Sequence, residues 1–491
     1  MGSKAVKTLK WGAVVLVVAL ATLLAVRAYD SQRGPPLELW HTFVPHELSA
    51  MEIDKSDWAQ YMAAEAKAFA EVRSEVTDRL EPEARHAGNR YFADSPVYPG
   101  KFARDWNRSY VMEPAGAPVG AVVLLHGLTD SPYSLRHIAQ RYQEDGYVAV
   151  AIRLPGHGTV PGGLAAVEWE QWTAATRLAV REARRRAGPS APLHLIGFSN
   201  GGALAMKYAL EAASDKALAR PDRIVLIAPM IGITSLARFA GVMGWPAVFP
   251  TFAKAAWLGI VPEFNPFKFN SFPVNGARQS SLVARALQQN IAQYASEGRL
   301  GELAPVLTFQ SVVDFTVSTR AIVNALYVNL PANGSELVLF DINRNTKFGP
   351  LLPRSTDTVL ARLLPDAPRT FRTTVITNAS PDSAEVVERV TEAGAITEQT
   401  RPLGLIYPRE VYSLSHLALS FPMNDSLYGM TPDSPPEYGA NLGAMATRGE
   451  RGILIVSVDS LSRMSSNPFF PYLMERIEEG IAKGARAVPR N

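Results

Sequence analysis

Gly197-Phe198-Ser199-Asn200-Gly201 follows the apolar run LHLI and opens the helical run GALAMKYAL, which places Ser199 at a sharp strand-to-helix turn. Such a turn forces the serine into a strained backbone conformation that exposes its hydroxyl. The flanking Gly197 and Gly201 leave room for strand and helix to approach, and a larger side chain at either would crowd the turn. A short Gly/Ser pattern is common and can mark an ordinary turn. Strand before, helix after and a third glycine at Gly202 point instead to a nucleophile. A serine hydroxyl needs a base to take its proton, and on this kind of turn the acid and then the histidine follow the serine in the chain. Of the 8 histidines only His416 lies after Ser199, in Ser413-Leu414-Ser415-His416-Leu417, so elimination makes it the expected base.

The acid must hold the imidazole in one tautomer and stabilise the imidazolium. Asp314 follows the apolar run VLTFQSVV directly, at the carboxyl end of an expected strand, where open parallel sheets place their chemistry. Asp341, in LVLFDIN one strand later, competes with it, as do acids in the polar stretch that follows. An oxyanion forming at the attacked carbon needs donors, each worth about 3 to 4 kcal/mol. His126-Gly127-Leu128 ends the strand AVVLL, so the expected donors are the backbone N–H groups of Leu128 and Asn200. His126 then shapes the loop and is not the base; the bland alternative is a strand-ending turn.

The elements that must position these residues are alternating strands and helices. VGAVVLLHG, YVAVAIRLPGHG, APLHLIGFS and DRIVLIAP are short apolar, β-branched runs separated by helical segments, which predicts an α/β fold with a mostly parallel sheet and helices on both faces. After Pro229 the strands stop. Residues 230–302 carry Phe239, Met243, Trp245, Phe249, Phe252, Trp257, Phe264, Phe267 and Phe269 and read as an inserted helical cap whose aromatics mostly form its own small core, some lining an apolar pocket. The core, begun at 106–229, resumes over 303–343, leaves through a polar insertion at 344–405 and returns at 406–491 with a strand GILIVSV and a last amphipathic helix. Residues 31–105 read as a linker and a helical arm, either lying on the domain or acting as a spacer.

The 491 residues, 47% apolar and 19% charged with 35 Gly and 36 Pro, fit globular domains and exclude collagen-like or low-complexity chains. A net charge of +3 is too balanced for a polyanion-binding surface, so nucleic acid is a poor partner. Absence of cysteine removes disulfides, thiolate metal sites and a cysteine nucleophile. Lys4, Lys7 and Lys10 precede the uncharged residues 11–26, WGAVVLVVALATLLAV, closed by Arg27. A helix of that run spans roughly 24 Å. Both a retained signal anchor and a cleaved signal peptide over residues 1–30 fit, with the anchor favoured because Val26-Arg27-Ala28 is a weak cleavage site. Either way the lysines stay inside and the remainder is exported.

LLHGLTDS (124–131), LPGHGT (154–159), GFSNGG (197–202), the strand-end Asp314 and SHLALSFP (415–422) together resemble the α/β-hydrolase superfamily, and within it bacterial carboxylesterases and monoacylglycerol lipases. The resemblance implies Ser199, Asp314 and His416 as nucleophile, acid and base, Leu128 and Asn200 as oxyanion donors, a structural His157, and no metal or organic cofactor. The long N-terminal arm and the polar insertion depart from the family pattern. The implied function is a serine carboxylic-ester hydrolase working through an acyl-enzyme on hydrophobic, lipid-derived esters reached from a membrane-anchored position on the non-cytoplasmic side. The same triad would also serve an acyltransferase or cleave amides, and a tethered binding protein that has kept the fold is the non-enzyme alternative. Charged substrates are not expected, because the cap offers few cations beyond Arg238, Lys254 and Lys268.

Overall fold

The runs VGAVVLLHG, YVAVAIRLPGHG, APLHLIGFS and DRIVLIAP each hold a strand in the computed structural model, which describes residues 2–232, 244–347, 358–433, 437–445, 463 and 465–487. In chain order the strands are β1 Tyr110–Met112, β2 Gly120–Leu125, β3 Tyr147–Ile152, β4 Leu193–Phe198, β5 Arg223–Ile227, β6 Trp257–Gly259, β7 Phe272–Pro273, β8 Val306–Ser311, β9 Glu336–Phe340, β10 Arg372–Asn378, β11 Glu385–Thr391 and β12 Gln399–Ile406. Ten of these form one sheet in the order β1-β3-β2-β4-β5-β8-β9-β10-β11-β12, and β6 pairs with β7 apart from it. Neighbours from β3 to β10 run parallel, and the pairs at both edges are antiparallel.

Both faces of the central strands are buried, which is why they read as continuous apolar runs. Val123, Leu125, Leu195 and Leu226 pack on one face against helices Trp169–Ala187, Asn200–Ser214 and Val274–Ser296. Val122, Leu124, Ile196 and Val225 pack on the other, against Arg136–Glu144 and Phe470–Ala487. The chain therefore has the α/β-hydrolase arrangement, with the carboxyl ends of β2, β4, β5 and β8 side by side.

The N-terminal arm lies on the domain. Helix Trp58–Glu75 sends Tyr61 to donate to the Arg153 carbonyl at 2.6 Å, and Glu65 to accept from Ser109 Oγ at 2.6 Å. Arg153, 1% exposed, is clamped by Glu65 at 3.1 Å and Glu47 at 2.7 Å. Removing one partner of such a buried pair costs about 3–5 kcal/mol, so this contact fixes the arm beside the 154–159 loop. Ahead of it runs the helix Gly2–Arg33, whose segment Val6–Asp30 is long and apolar enough to cross a membrane and has no buried residue in its most apolar window.

The structure differs from the sequence reading in two places. Residues 372–406, expected within a polar insertion that leaves the sheet, supply its last three strands. Their threonines misled: Thr373, Thr374 and Thr377 are buried in β10, where Thr374 Oγ1 donates to Glu336 at 2.8 Å and Thr377 Oγ1 to Asp341 at 3.3 Å. The cap aromatics do not make a core of their own. Phe264 and Phe267 join the cluster on one sheet face and Phe269 that on the other, while Trp245 and Phe249 are exposed. Phe239, Met243, Arg238 and the expected strand GILIVSV at 452–458 lie outside the described residues.

Candidate active site

The chain turns from β4 into the helix Asn200–Ser214 through Ser199, whose φ of 55° and ψ of −115° put a non-glycine residue in the left-handed half of backbone space. Three hydrogen bonds hold it there: Ser199 N–H donates to Ile227 O at 3.0 Å, and its carbonyl accepts from Gly202 N–H at 3.0 Å and Met230 N–H at 2.9 Å. The glycines are required by space. A Cβ on Gly201 would lie 1.9 Å from the Leu125 carbonyl oxygen, and one on Gly197 would lie 2.3 Å from that of Gly201.

His416 Nδ1 donates to Asp314 Oδ2 at 2.8 Å, across 102 residues of sequence. Asp314 follows β8, and its side chain is wholly enclosed. Its Oδ1 accepts from Thr316 N–H at 2.7 Å and Val317 N–H at 2.9 Å, and its Oδ2 accepts from Gln310 Nε2 at 3.2 Å as well as from His416. Burial pushes this carboxyl up, but the His416 ring and these N–H groups outweigh it and hold Asp314 below the ordinary carboxylate range. Asp341 is engaged elsewhere, accepting from Thr377 and facing Arg344 at 3.7 Å. The His416 ring lies over Phe198, centroids 5.2 Å apart. Ser199, His416, Gly127 and Leu128 all line one cavity of about 420 Å³, whose walls include Phe198, Met230, Phe269, Phe272, Ala277 and Leu417.

The loop after β2 carries the other expected site residues. His126 is buried; its Nε2 accepts from Leu154 N–H at 3.0 Å, so Nδ1 carries the proton and donates to Gly127 O at 2.9 Å. Burial first, then the neighbouring His157, holds its pKa well below the ordinary histidine value, which leaves a neutral ring bracing the loop against the end of β3. Gly127 packs against Phe198 and Ser199, with only 3.2 Å for an added Cβ. Leu128 lines the cavity together with Ser199, and Asn200 follows Ser199 as the first residue of its helix, where backbone N–H groups have no intrahelical acceptor. Thr129, at φ 61°, completes the turn.

Lys268 was not singled out as a site residue, yet it lines the cavity and donates to Thr129 Oγ1 at 2.8 Å and Leu128 O at 3.4 Å. Arg463 and Thr316 line it too. Nothing in the local sequence of Lys268, inside the Phe-rich stretch, signals that position. Among the described residues no group of three or more His, Asp or Glu is placed to hold a metal ion. A larger cavity, about 590 Å³, lies at the opposite ends of the strands, lined by Arg223 and by Glu336 and Arg476, which pair with each other.

Residues 116–333 match the family model described as serine aminopeptidase S33, a segment that contains Ser199 and Asp314 but stops short of His416. Over 92 residues, 19% of this chain, the sequence is 33% identical to a thermostable monoacylglycerol lipase of Bacillus sp. (strain H-257). That match spans about a third, 35%, of the relative's length. Among solved structures, a metagenome-derived lipolytic enzyme is similar at 22% identity with a TM-score of 0.38, covering 52% of this chain and 97% of its own. A monoacylglycerol lipase of Paleococcus ferrophilus gives 16% identity and 0.35, covering 52% and 98%. The sheet order and the serine turn give the chain the α/β-hydrolase fold, and residues 116–333 within it match the S33 model.

Proposed function

We propose that this chain is a serine ester hydrolase that cleaves hydrophobic, lipid-derived carboxylic esters through an acyl-enzyme. The observation that carries the reading is the 2.8 Å contact between His416 and Asp314 in the wall of the cavity that Ser199 enters from its strained turn. Asp314 keeps the Nδ1 proton on His416, which leaves Nε2 free as the base. Ser199 Oγ attacks the ester carbonyl carbon as its proton passes to Nε2. The N–H groups of Leu128 and Asn200 take the developing oxyanion. Collapse breaks the ester C–O bond, and the departing alkoxide takes the proton from His416. Water, deprotonated by the same ring, then attacks the acyl-enzyme and releases the acid with Ser199 restored.

The apolar walls favour an alkyl chain, and the Bacillus relative favours ester over amide. The N-terminal helix is read as a retained anchor that holds the catalytic domain on the non-cytoplasmic side. Its end is tied to the cap segment by Gln32 Nε2 donating to Thr251 O at 2.7 Å and by Arg27 donating to Trp257 O.

The test is hydrolysis of para-nitrophenyl esters of graded chain length by the full chain in detergent, beside Ser199→Ala and His416→Ala, with a fluorophosphonate probe on each. Turnover that collapses in both variants, and labelling confined to Ser199, are expected. A folded protein that neither turns over esters nor takes the label would move the reading to a binding role, and turnover that appears only with an added alcohol would move it to acyl transfer.

A further inference from the structure

Among the described residues, the cavity beside Ser199 is apolar over most of its wall and lined by no acidic residue, but two cations face it: Lys268 from the cap and Arg463 from the C-terminal part. Among the described residues Lys268 has no carboxylate within ion-pair distance; its ammonium rests on two neutral oxygens, Thr129 Oγ1 and Leu128 O. The Arg463 guanidinium, among the described residues, meets the Thr316 hydroxyl. Burial pulls the Lys268 ammonium below the ordinary lysine range, Asp130 offsets part of that, and Arg463 adds to the pull. The two cations thus repel each other across a space of low polarity, where charge is weakly screened. Asp130, buried with one carboxylate oxygen unpartnered, is a counter-charge to Lys268 that does not itself line the cavity, and it leaves Arg463 uncompensated among the described residues. Among the described residues, two cations on the wall against the buried Asp130 leave a positive excess in the pocket that receives substrate, the arrangement a negatively charged ligand group would complete.

We propose that Lys268 and Arg463 select esters bearing an anionic group, a carboxylate or a phosphate, on the part of the substrate away from the scissile carbonyl. The proposal rests on Ser199 as the nucleophile, and it replaces the sequence-based expectation that charged substrates are not suited to this cap. Lys268 reaches the oxyanion turn through Leu128 and Thr129, so its charge lies close to the reacting carbonyl and within reach of a short substrate's second functional group. Arg463, tied to Thr316 and accepting from Ser415 Oγ at 3.0 Å through its carbonyl, flanks the acid and base at the mouth. An anion held between them would orient the ester toward Ser199.

The full chain in detergent micelles is assayed on two matched pairs. The carboxylate arm sets para-nitrophenyl hydrogen glutarate against para-nitrophenyl valerate. The phosphate arm sets monodecanoylglycerol phosphate against monodecanoylglycerol, with released decanoate measured. The readout is the ratio of kcat/KM for the anionic ester to that for the neutral one, which cancels any general loss from a disturbed oxyanion turn. Lys268→Gln and Arg463→Gln should each lower that ratio by about tenfold in at least one arm, the size of one charge-assisted contact, and Lys268→Arg should restore it. A ratio unmoved by Lys268→Gln in both arms overturns the proposal while leaving the hydrolase reading intact. Calorimetric binding of octanoate and octyl phosphate, against octanol, to Ser199→Ala separates the two ideas further. Anion preference lost with Lys268→Gln keeps the inference even if no ester is turned over, and equal binding of all three ligands overturns it.

Discussion

Replacing Asp314 by asparagine should cost about ten-thousandfold in kcat, and the structure says why an isosteric change is so expensive. The Thr316 and Val317 N–H groups both donate to Oδ1, so the asparagine carbonyl must take that place, which turns its NH2 toward His416. A donor now faces Nδ1, the imidazole proton moves to Nε2, and the ring can no longer accept from Ser199. Neutralising the acid also removes its attraction for the imidazolium. At a charge separation of about 4 Å and an effective dielectric of about 20 that attraction is about 4 kcal/mol, about a thousandfold in rate, and the wrong tautomer supplies the remainder of the roughly ten-thousandfold loss known for such acids. Steady-state hydrolysis of para-nitrophenyl butyrate by the full chain measures it, with Asp341→Asn as the control. Asp341 serves Thr377 and Arg344, so its loss should leave kcat within about twofold. Asp314→Asn retaining more than about a tenth of the wild-type rate, or Asp341→Asn suffering the larger loss, would refute the assignment.

Gly201→Ala should lower stability by about 3 kcal/mol or more, because the added methyl would sit 1.9 Å from the Leu125 carbonyl oxygen and the elbow must open to admit it; thermal melting reads this, and an unchanged Tm would mean the turn is looser than drawn. Asp425 accepts from Arg136 at 2.6 Å, His137 at 2.9 Å and Tyr428 N–H at 2.7 Å; burial pushes its carboxyl up, but Arg136 and His137 outweigh it and hold Asp425 far below the ordinary carboxylate range. A depressed carboxyl stabilises fully above its unfolded value, about pH 4, and the contribution is lost as pH falls below it. Asp425→Asn should therefore cost about 3–5 kcal/mol near neutral pH and progressively less under about pH 4, as urea midpoints across that range would show; a pH-independent gap would contradict it. Removing residues 2–30 should release the protein from membranes that retain the full chain through an alkaline carbonate wash, and release of the full chain by the same wash would refute the anchor.

The serine turn was legible because its requirements are local: a strand, two glycines that touch backbone, and a helix, all within ten residues. His416 was legible by counting alone, since no other histidine follows Ser199. The Asp314 position could be read from a strand end, whereas its preference over Asp341 needed three dimensions: only the sheet order, which sets β8 nearer to β4 than β9, brings one of them to His416. Lys268 was illegible, because its position depends on how the cap folds back onto the loop after β2, where Phe269 N–H donates to Thr129 O at 2.7 Å. Periodicity cannot report a contact between segments 139 residues apart.

The three added strands show how a chain can place 101 residues between Asp314 and His416 without disturbing their contact. β10 continues the parallel register from β9, Val375 beside Leu339, so the sheet grows outward from the edge remote from Ser199. β11 and β12 then return antiparallel, and the growth ends on a strand that is mostly exposed and carries Arg401 and Pro402. A proline and a charge on an outer strand block pairing with another sheet, and the shift in register between β11 and β12 twists that edge further from a flat template. From Ile406 the chain re-enters through Tyr407, buried against the Phe469 ring at 4.8 Å, and runs back across the sheet's carboxyl edge. There Asn343 fixes it by donating to Val411 O at 2.8 Å and Pro408 O at 3.0 Å. The loop bearing His416 is thus hung from the end of β9, one strand from the acid it meets. The His416–Asp314 contact depends on that short span of sheet and not on the length of chain inserted beyond it.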